Sequence, residues 1–245
     1  MALSSKYTDA VLNAFIFNPK PQDVIEKKKE ILSAILTQSQ PGPHNILFFG
    51  YSPMIHAVDG LEIFITDSSI TVQEYLVDIG VKFTYVEPGE LLKYSKKFNI
   101  VVALDEFFTF ASNETDQKDK IDLLCDLCDG TIVTSLRDYK NLSARDREFS
   151  SPTAVRNKKD NRIYLEHHNH DIDSKVMWSS SLYEITGDSS NTVIQYGPFE
   201  RMTMYFKQLA KFSYDAGATD FFVHKDLMYK SPVKKNYEHV ISIKL

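Results

Sequence analysis

The stretch from Phe98 to Tyr139 constrains this chain more than any other. Asn99 to Leu104 (NIVVAL) is apolar at nearly every position, the pattern of a parallel strand covered on both faces. Ile121, Leu124, Cys125 and Cys128 then recur at helical spacing, and Gly130 is placed to cap the helix they predict. Thr131 to Leu136 returns as a second buried strand. A strand, a helix and a strand of this kind belong to a sheet with helices on its faces. Ligands of such sheets lie beyond the carboxyl ends of the strands. The residues that follow the two strands, Asp105-Glu106-Phe107-Phe108 and Arg137-Asp138-Tyr139, are therefore candidate site residues.

The same alternation runs through the first half of the chain. An amphipathic segment carrying Tyr7, Val11, Leu12, Phe15 and Ile16 is stopped by Asn18-Pro19-Lys20-Pro21. A second helix is predicted over 22–37, with Val24, Ile25, Ile31, Leu32, Ile35 and Leu36 inward, before the breaker Pro41-Gly42-Pro43. Strands are predicted over 45–49, 61–66 and 81–86, ending at Gly50-Tyr51-Ser52-Pro53, Asp67-Ser68-Ser69 and Glu87-Pro88-Gly89. Helices are expected over 71–79, with Ser68-Ser69 as its cap and Gly80 as its close, and near 90–94. The expectation is an α/β fold: a doubly wound, mostly parallel, seven-stranded, Rossmann-like sheet. After Tyr139 the pattern changes. Residues 140–161 read as a polar loop, and strand-like runs over 162–168, 175–185 and 192–196 follow with no helix between them. They predict an antiparallel insertion over 160–200, large enough to cover a ligand site. A helix over 202–216 closed by Gly217, a strand over 219–225 and a last strand over 239–245 complete the pattern. Residues 1–40 are read as N-terminal helices placed to act as a lid, and 41–245 as the α/β domain.

Composition excludes several function classes. A formal net charge of −5 argues against a duplex nucleic-acid footprint. No apolar run approaches a membrane span, and the N-terminus lacks a charged-then-apolar leader pattern. Two cysteines cannot build a disulfide framework, and Cys125-x-x-Cys128 falls inside the predicted helix, so the pair reads as reduced core thiols and not a redox centre. His168 and His170 would share one side of a strand, beside His167, but no distant Cys or His cluster completes a metal set. No metal is expected. A cytoplasmic protein is expected, with homo-oligomerisation open.

These features resemble the class I S-adenosylmethionine-dependent methyltransferases over roughly residues 22–245. An apolar strand ends in glycine (ILFFG, Gly50), the next ends in an acid (IFITD, Asp67), and FNIVVALDEFFTF looks like the family's fourth strand. The last helix, DFFVHKDLMYKSP and HVISIKL look like its closing helix and β-hairpin. VTSLRDY, the inserted hairpin and QYGPFERMTMYFKQL are loosely similar to glycine-type small-molecule N-methyltransferases. One motif departs from the pattern. Gly50-Tyr51-Ser52-Pro53 supplies a single glycine where the family carries several, and Phe48-Phe49 stands in the usual acid region.

The resemblance implies S-adenosylmethionine as cofactor and methyl transfer to a small molecule, an amine or a carboxylate-bearing compound. It places Gly50, Tyr51, Ser52, Asp67, Ser68, Glu87, Leu104, Asp105 and Phe107 at the cofactor, and Arg137, Tyr139 and Phe108 at the substrate. Asp67 would accept both ribose hydroxyls; its plainer reading is a helix-capping acid. Phe107 and Phe108 read equally as core. Arg137 would bind a substrate carboxylate through its guanidinium fork. No catalytic residue stands out, and methyl transfer from a sulfonium needs none. The alternative is a methyltransferase-fold protein that has lost the activity and serves as a binding or assembly module.

Overall fold

In the computed structural model of the chain, the residues described are 22–38, 45–58, 61–66, 70–103, 107–137, 153–156, 162–170, 177–186, 192–224, 228–230 and 235–245. The expected first helix with Tyr7, and the site candidates Asp67, Ser68, Leu104, Asp105 and Tyr139, lie outside them.

Helix α1 (Gln22–Gln38) precedes strand β1 (Asn45–Phe49), a 3-10 turn (Pro53–Ala57) and β2 (Glu62–Thr66). Helix α2 (Ile70–Asp78), β3 (Thr84–Tyr85), a second 3-10 turn (Pro88–Tyr94) and β4 (Phe98–Ala103) follow. Helix α3 (Glu114–Leu127) leads into β5 (Cys128–Arg137). β1, β2, β3, β4 and β5 pair in parallel, in the order β3-β2-β1-β4-β5. The sheet is finished by β12 (Lys235–Lys244), antiparallel to β5, and β10 (Asp220–His224), antiparallel to β12; β11 (Met228–Lys230) pairs with β12 alone.

Alternation along each strand divides the core between the two faces of this sheet. Ile46, Phe48, Ile63, Ile65, Ile100 and Val102 pack with Leu32 and Ile35 of α1 and Val72 and Leu76 of α2. Leu47, Phe64, Val101 and Ala103 face the other way, toward α3 and helix α4 (Phe206–Asp215) through Ile121, Leu124, Leu209 and Phe212. Both layers are needed because every central strand is apolar on both sides. The described residues contain no helix long and apolar enough to cross a membrane.

The insertion is a separate antiparallel sheet of β6 (Thr153–Arg156), β7 (Arg162–His170), β8 (Met177–Thr186) and β9 (Val193–Met202), in that order. Several boundaries differ from expectation here. β6 lies in the stretch read as loop. β9 runs to Met202 because Gly197-Pro198 sits on an edge strand, where proline is tolerated. α4 consequently begins at Phe206 and not at residue 202. In the main sheet, β3 is reduced to two residues. Val81 N–H donates to Leu76 O at 2.9 Å, so that segment belongs to the turn closing α2.

The α3–β5 junction also corrects the sequence reading. The helix ends at Leu127, and Cys128 opens the strand. Gly130 is not the helix cap. It lies in a bulge where Asp129 and Gly130 oppose Asn99. Lys96 caps the helix end, its Nζ donating to Cys125 O at 2.6 Å and Cys128 O at 2.9 Å.

Candidate functional site

In chain order β1, β2 and β3 step outward, and the chain then returns to place β4 on the other side of β1. The crevice between β1 and β4 is therefore the switch point of the sheet, where ligands of such folds bind. Registers Phe49↔Thr66, Ile65↔Tyr85, Phe48↔Val102 and Ala103↔Thr134 bring the ends of β1, β2, β3 and β4 to one level. The Thr134 hydroxyl donates to Ala103 O at 2.7 Å and fixes the last residue of β4 against β5.

Gly50 follows β1 at φ +77°, and its N–H donates to Thr66 O at 2.9 Å. That left-handed backbone is the one point of the loop that requires glycine. Ser52, expected at the cofactor, is buried, and its hydroxyl accepts the Met54 N–H at 3.2 Å as the cap of the first 3-10 turn. Met54, Ile55 and Val58 sink into the core beside Leu32 and Ile35. Tyr51 is half-buried, with its ring edge-on to Tyr75 at 5.2 Å. Burial first, and a hydrogen bond with Tyr75 second, push its phenol well above the usual range, so it stays neutral at ordinary pH.

Across the crevice, Phe107 meets Phe49 edge-to-face at 5.0 Å. Phe108, expected at the substrate or in the core, is fully buried in the core. The turn that carries Phe107 is held at every carbonyl from residue 107 to 110. Lys120 Nζ donates to Phe107 O at 3.3 Å and to Phe110 O. Gln117 Nε2 reaches Phe108 O at 3.4 Å, and Met202 N–H donates to Thr109 O at 2.8 Å. Gln117 Nε2 also reaches Met202 O and Thr203 O at 3.3 and 3.4 Å, and its Oε1 accepts from Gln208. The Arg201 guanidinium lies 3.6 Å from the Phe110 ring centroid. The last strand of the insertion is thus tied to the turn beside the crevice. Burial holds the Lys120 ammonium below its usual pKa.

Thr66 ends β2 at 4% exposure, and its hydroxyl has no hydrogen-bond partner among the described residues. Glu87 is exposed, just past Val86, whose N–H donates to Ile65 O at 2.9 Å. Arg137 ends β5 three residues beyond Thr134, roughly 10 Å further along the strand. Its register partner is Glu238, and its side chain lies outside the described set. In the insertion, buried Glu184 accepts from Arg162 at 2.7 Å and from the Tyr196 hydroxyl at 3.0 Å. Burial, then this bond, push the Tyr196 phenol up to about 12. Sequence reasoning passed over Thr66, Gln117, Lys120 and Glu184. Gln117 and Lys120 stand three apart on α3, a spacing that puts both on one helix face. Among the described residues, no group of three His, Cys, Asp or Glu side chains is placed to hold a metal ion.

No family model matches the sequence, and no curated protein matches it in a sequence search. Solved structures do match the fold. DesVI of Streptomyces venezuelae superposes with a TM-score of 0.69 at 10% identity, covering 97% of each chain. An S-adenosylmethionine-dependent methyltransferase of Clostridium acetobutylicum gives 0.65 at 10% identity over 98% of each chain. The S-adenosylmethionine-bound amino pentose methyltransferase CalS10 of Micromonospora echinaspora gives 0.63 at 8% identity, covering 100% of this chain and 98% of that one. The chain has the class I S-adenosylmethionine-dependent methyltransferase fold.

Proposed function

We propose that this protein is an S-adenosylmethionine-dependent methyltransferase that methylates the amine of a small molecule. The observation that carries the reading is the switch point between β1 and β4, opened by Gly50 at φ +77° and walled by Phe49 and Phe107. The residues present fit the cofactor. Gly50 lets backbone approach a ligand, and a buried hydroxyl with no partner among the described residues stands at the adjacent strand end. When bound, the cofactor supplies a methyl group already activated on a sulfonium. Asp67, next in sequence after Thr66, accepts the ribose hydroxyls through its two oxygens. Glu87 is assigned to the purine side, and Tyr51, Ser68, Leu104 and Asp105 are the further cofactor contacts of this reading. Arg137 and Tyr139 hold an anionic or polar group of the substrate. The protein aligns a neutral amine with the methyl group and keeps water away, which calls for positioning and not for a general acid. The amino pentose methyltransferase CalS10 among the matched structures makes amino sugars the first acceptor class to try.

Thermal denaturation with S-adenosylhomocysteine tests the cofactor half of this reading. At a hundred times the dissociation constant, binding adds about 2.7 kcal/mol to stability. For a chain of this size that raises Tm by roughly 5–10 °C. Asp67→Asn should lose most of the shift. Absence of any shift at millimolar ligand, with a folded protein, overturns the enzyme and leaves the binding-module alternative.

A further inference from the structure

Thr66 carries information that the general fold does not. The residue is 4% exposed and its hydroxyl lacks a partner among the described residues. A hydroxyl buried without a hydrogen bond costs roughly 1–3 kcal/mol, and such groups in folded proteins call for an explanation. At a strand end bordering the switch point, the direct explanation is a partner supplied by a ligand.

The neighbours of Thr66 narrow the chemistry. Alternation puts it on the same face of β2 as Phe64. Phe49, its register partner in β1, stands on one side of it, and Val86, just past the last register pair of β3, stands on the other. Phe49 and Val86 both belong with Phe64 on that face, and Phe107 closes on Phe49 from the far side of the crevice. The row across the strand ends is apolar, hydroxyl, apolar. A ribose presents two adjacent hydroxyls and suits a carboxylate with two acceptor oxygens. A purine presents flat apolar faces and a polar edge, which matches aromatic and aliphatic walls with a single hydrogen-bonding group between them.

We propose that Thr66 hydrogen-bonds the purine edge of the nucleoside bound at this site and so contributes to recognition of adenine. The inference rests on the cofactor reading above and adds a residue to it. A hydroxyl serves as donor or acceptor, so the assignment holds for either kind of ring atom.

Calorimetric titration with S-adenosylhomocysteine is the test, on wild type, Thr66→Val and Thr66→Ser. Valine keeps the shape and removes the hydroxyl; serine keeps the hydroxyl. Thr66→Val should bind about tenfold or more weakly, Thr66→Ser within about threefold of wild type, and ligand-free Thr66→Val should melt no lower than wild type. The tenfold loss should persist with the 2′-deoxy and 3′-deoxy analogues of the ligand. Wild type binding with Thr66→Val within twofold of it overturns the inference and leaves the cofactor reading standing. Disappearance of the loss with either deoxy analogue assigns the hydroxyl to the sugar and overturns the purine contact. Failure of wild type to bind removes the cofactor reading and this inference together.

Discussion

Gly130 and Gly50 make opposite demands on the chain. A Cβ on Gly130 would stand 2.4 Å from the Asn99 carbonyl oxygen, a backbone atom that no side-chain rotation can move aside. The surroundings are tight. Asn99 accepts the Asn45 N–H at 3.1 Å and donates to Asp129 at 3.2 Å, tying β1, β4 and β5 together at this level. Gly130→Ala should therefore destabilise by about 2 kcal/mol or more, as overpacked cores do. The expected fall in Tm is roughly 4–8 °C, read by circular dichroism. Gly50→Ala meets a left-handed backbone conformation, at φ +77°. Its strain costs about 1–2 kcal/mol, and its larger effect should be on S-adenosylhomocysteine affinity, read by calorimetry. If Gly130→Ala proved the more damaging to binding and Gly50→Ala the more damaging to stability, the two roles would be exchanged. The sequence signal for both glycines was visible, but the structure moves Gly130 from a helix cap to a strand bulge. A glycine soon after a helix looks like a cap, and nothing local reveals that Lys96, over thirty residues earlier, holds that position.

Among the elements, α3 joins the crevice between β1 and β4 to the insertion. Its apolar stripe, Ile121, Leu124 and Cys125, was legible because the period of the helix is written into consecutive turns. Gln117 and Lys120 were passed over, because their roles depend on carbonyls up to 86 residues away. Single-chain periodicity contains no such information. The same holds for β9, whose second half was hidden behind a Gly-Pro pair that usually ends an element. Gln117→Leu would strand the Phe108, Met202 and Thr203 carbonyls together with the Gln208 amide. The expected loss is about 2–4 kcal/mol in urea unfolding. S-adenosylhomocysteine should also bind more weakly, because the turn bearing Phe107 is released. Lys118→Gln, one position along the helix, removes only the exposed Lys118–Asp122 pair and should change stability by no more than about 0.5 kcal/mol. Equal effects of the two substitutions would show that the buried amide does not hold the turn.

At the scale of the whole molecule, the sheet was readable because its central strands are apolar on both faces, which only a two-sided α/β layer can cover. The four strands of the insertion were harder, since each depends on pairing with the next and β6 is only four residues long. The two-sided core has a consequence for the thiols at its α3–β5 seam. Burial pushes Cys125 up to about 11 and Cys128 up to about 12, from an ordinary value of 9. Neither is a nucleophile at neutral pH, and both should resist a thiol reagent at pH 8 until the protein opens. The linkage has a definite sign. Because the folded-state value is raised, the unfolded chain loses its thiol proton first as pH rises, and binds fewer protons than the native state between the two values. Stability from Cys128 is complete below about pH 9 and declines from there toward pH 12. Cys128→Ala lacks that term. The difference in unfolding free energy between wild type and Cys128→Ala should hold constant from pH 7 to about 8.5. It should then narrow by about 1.4 kcal/mol per pH unit in the alkaline window. A difference that stayed flat to pH 11 would mean that Cys128 titrates alike in the folded and unfolded chain, and that the seam between α3 and β5 is open to water.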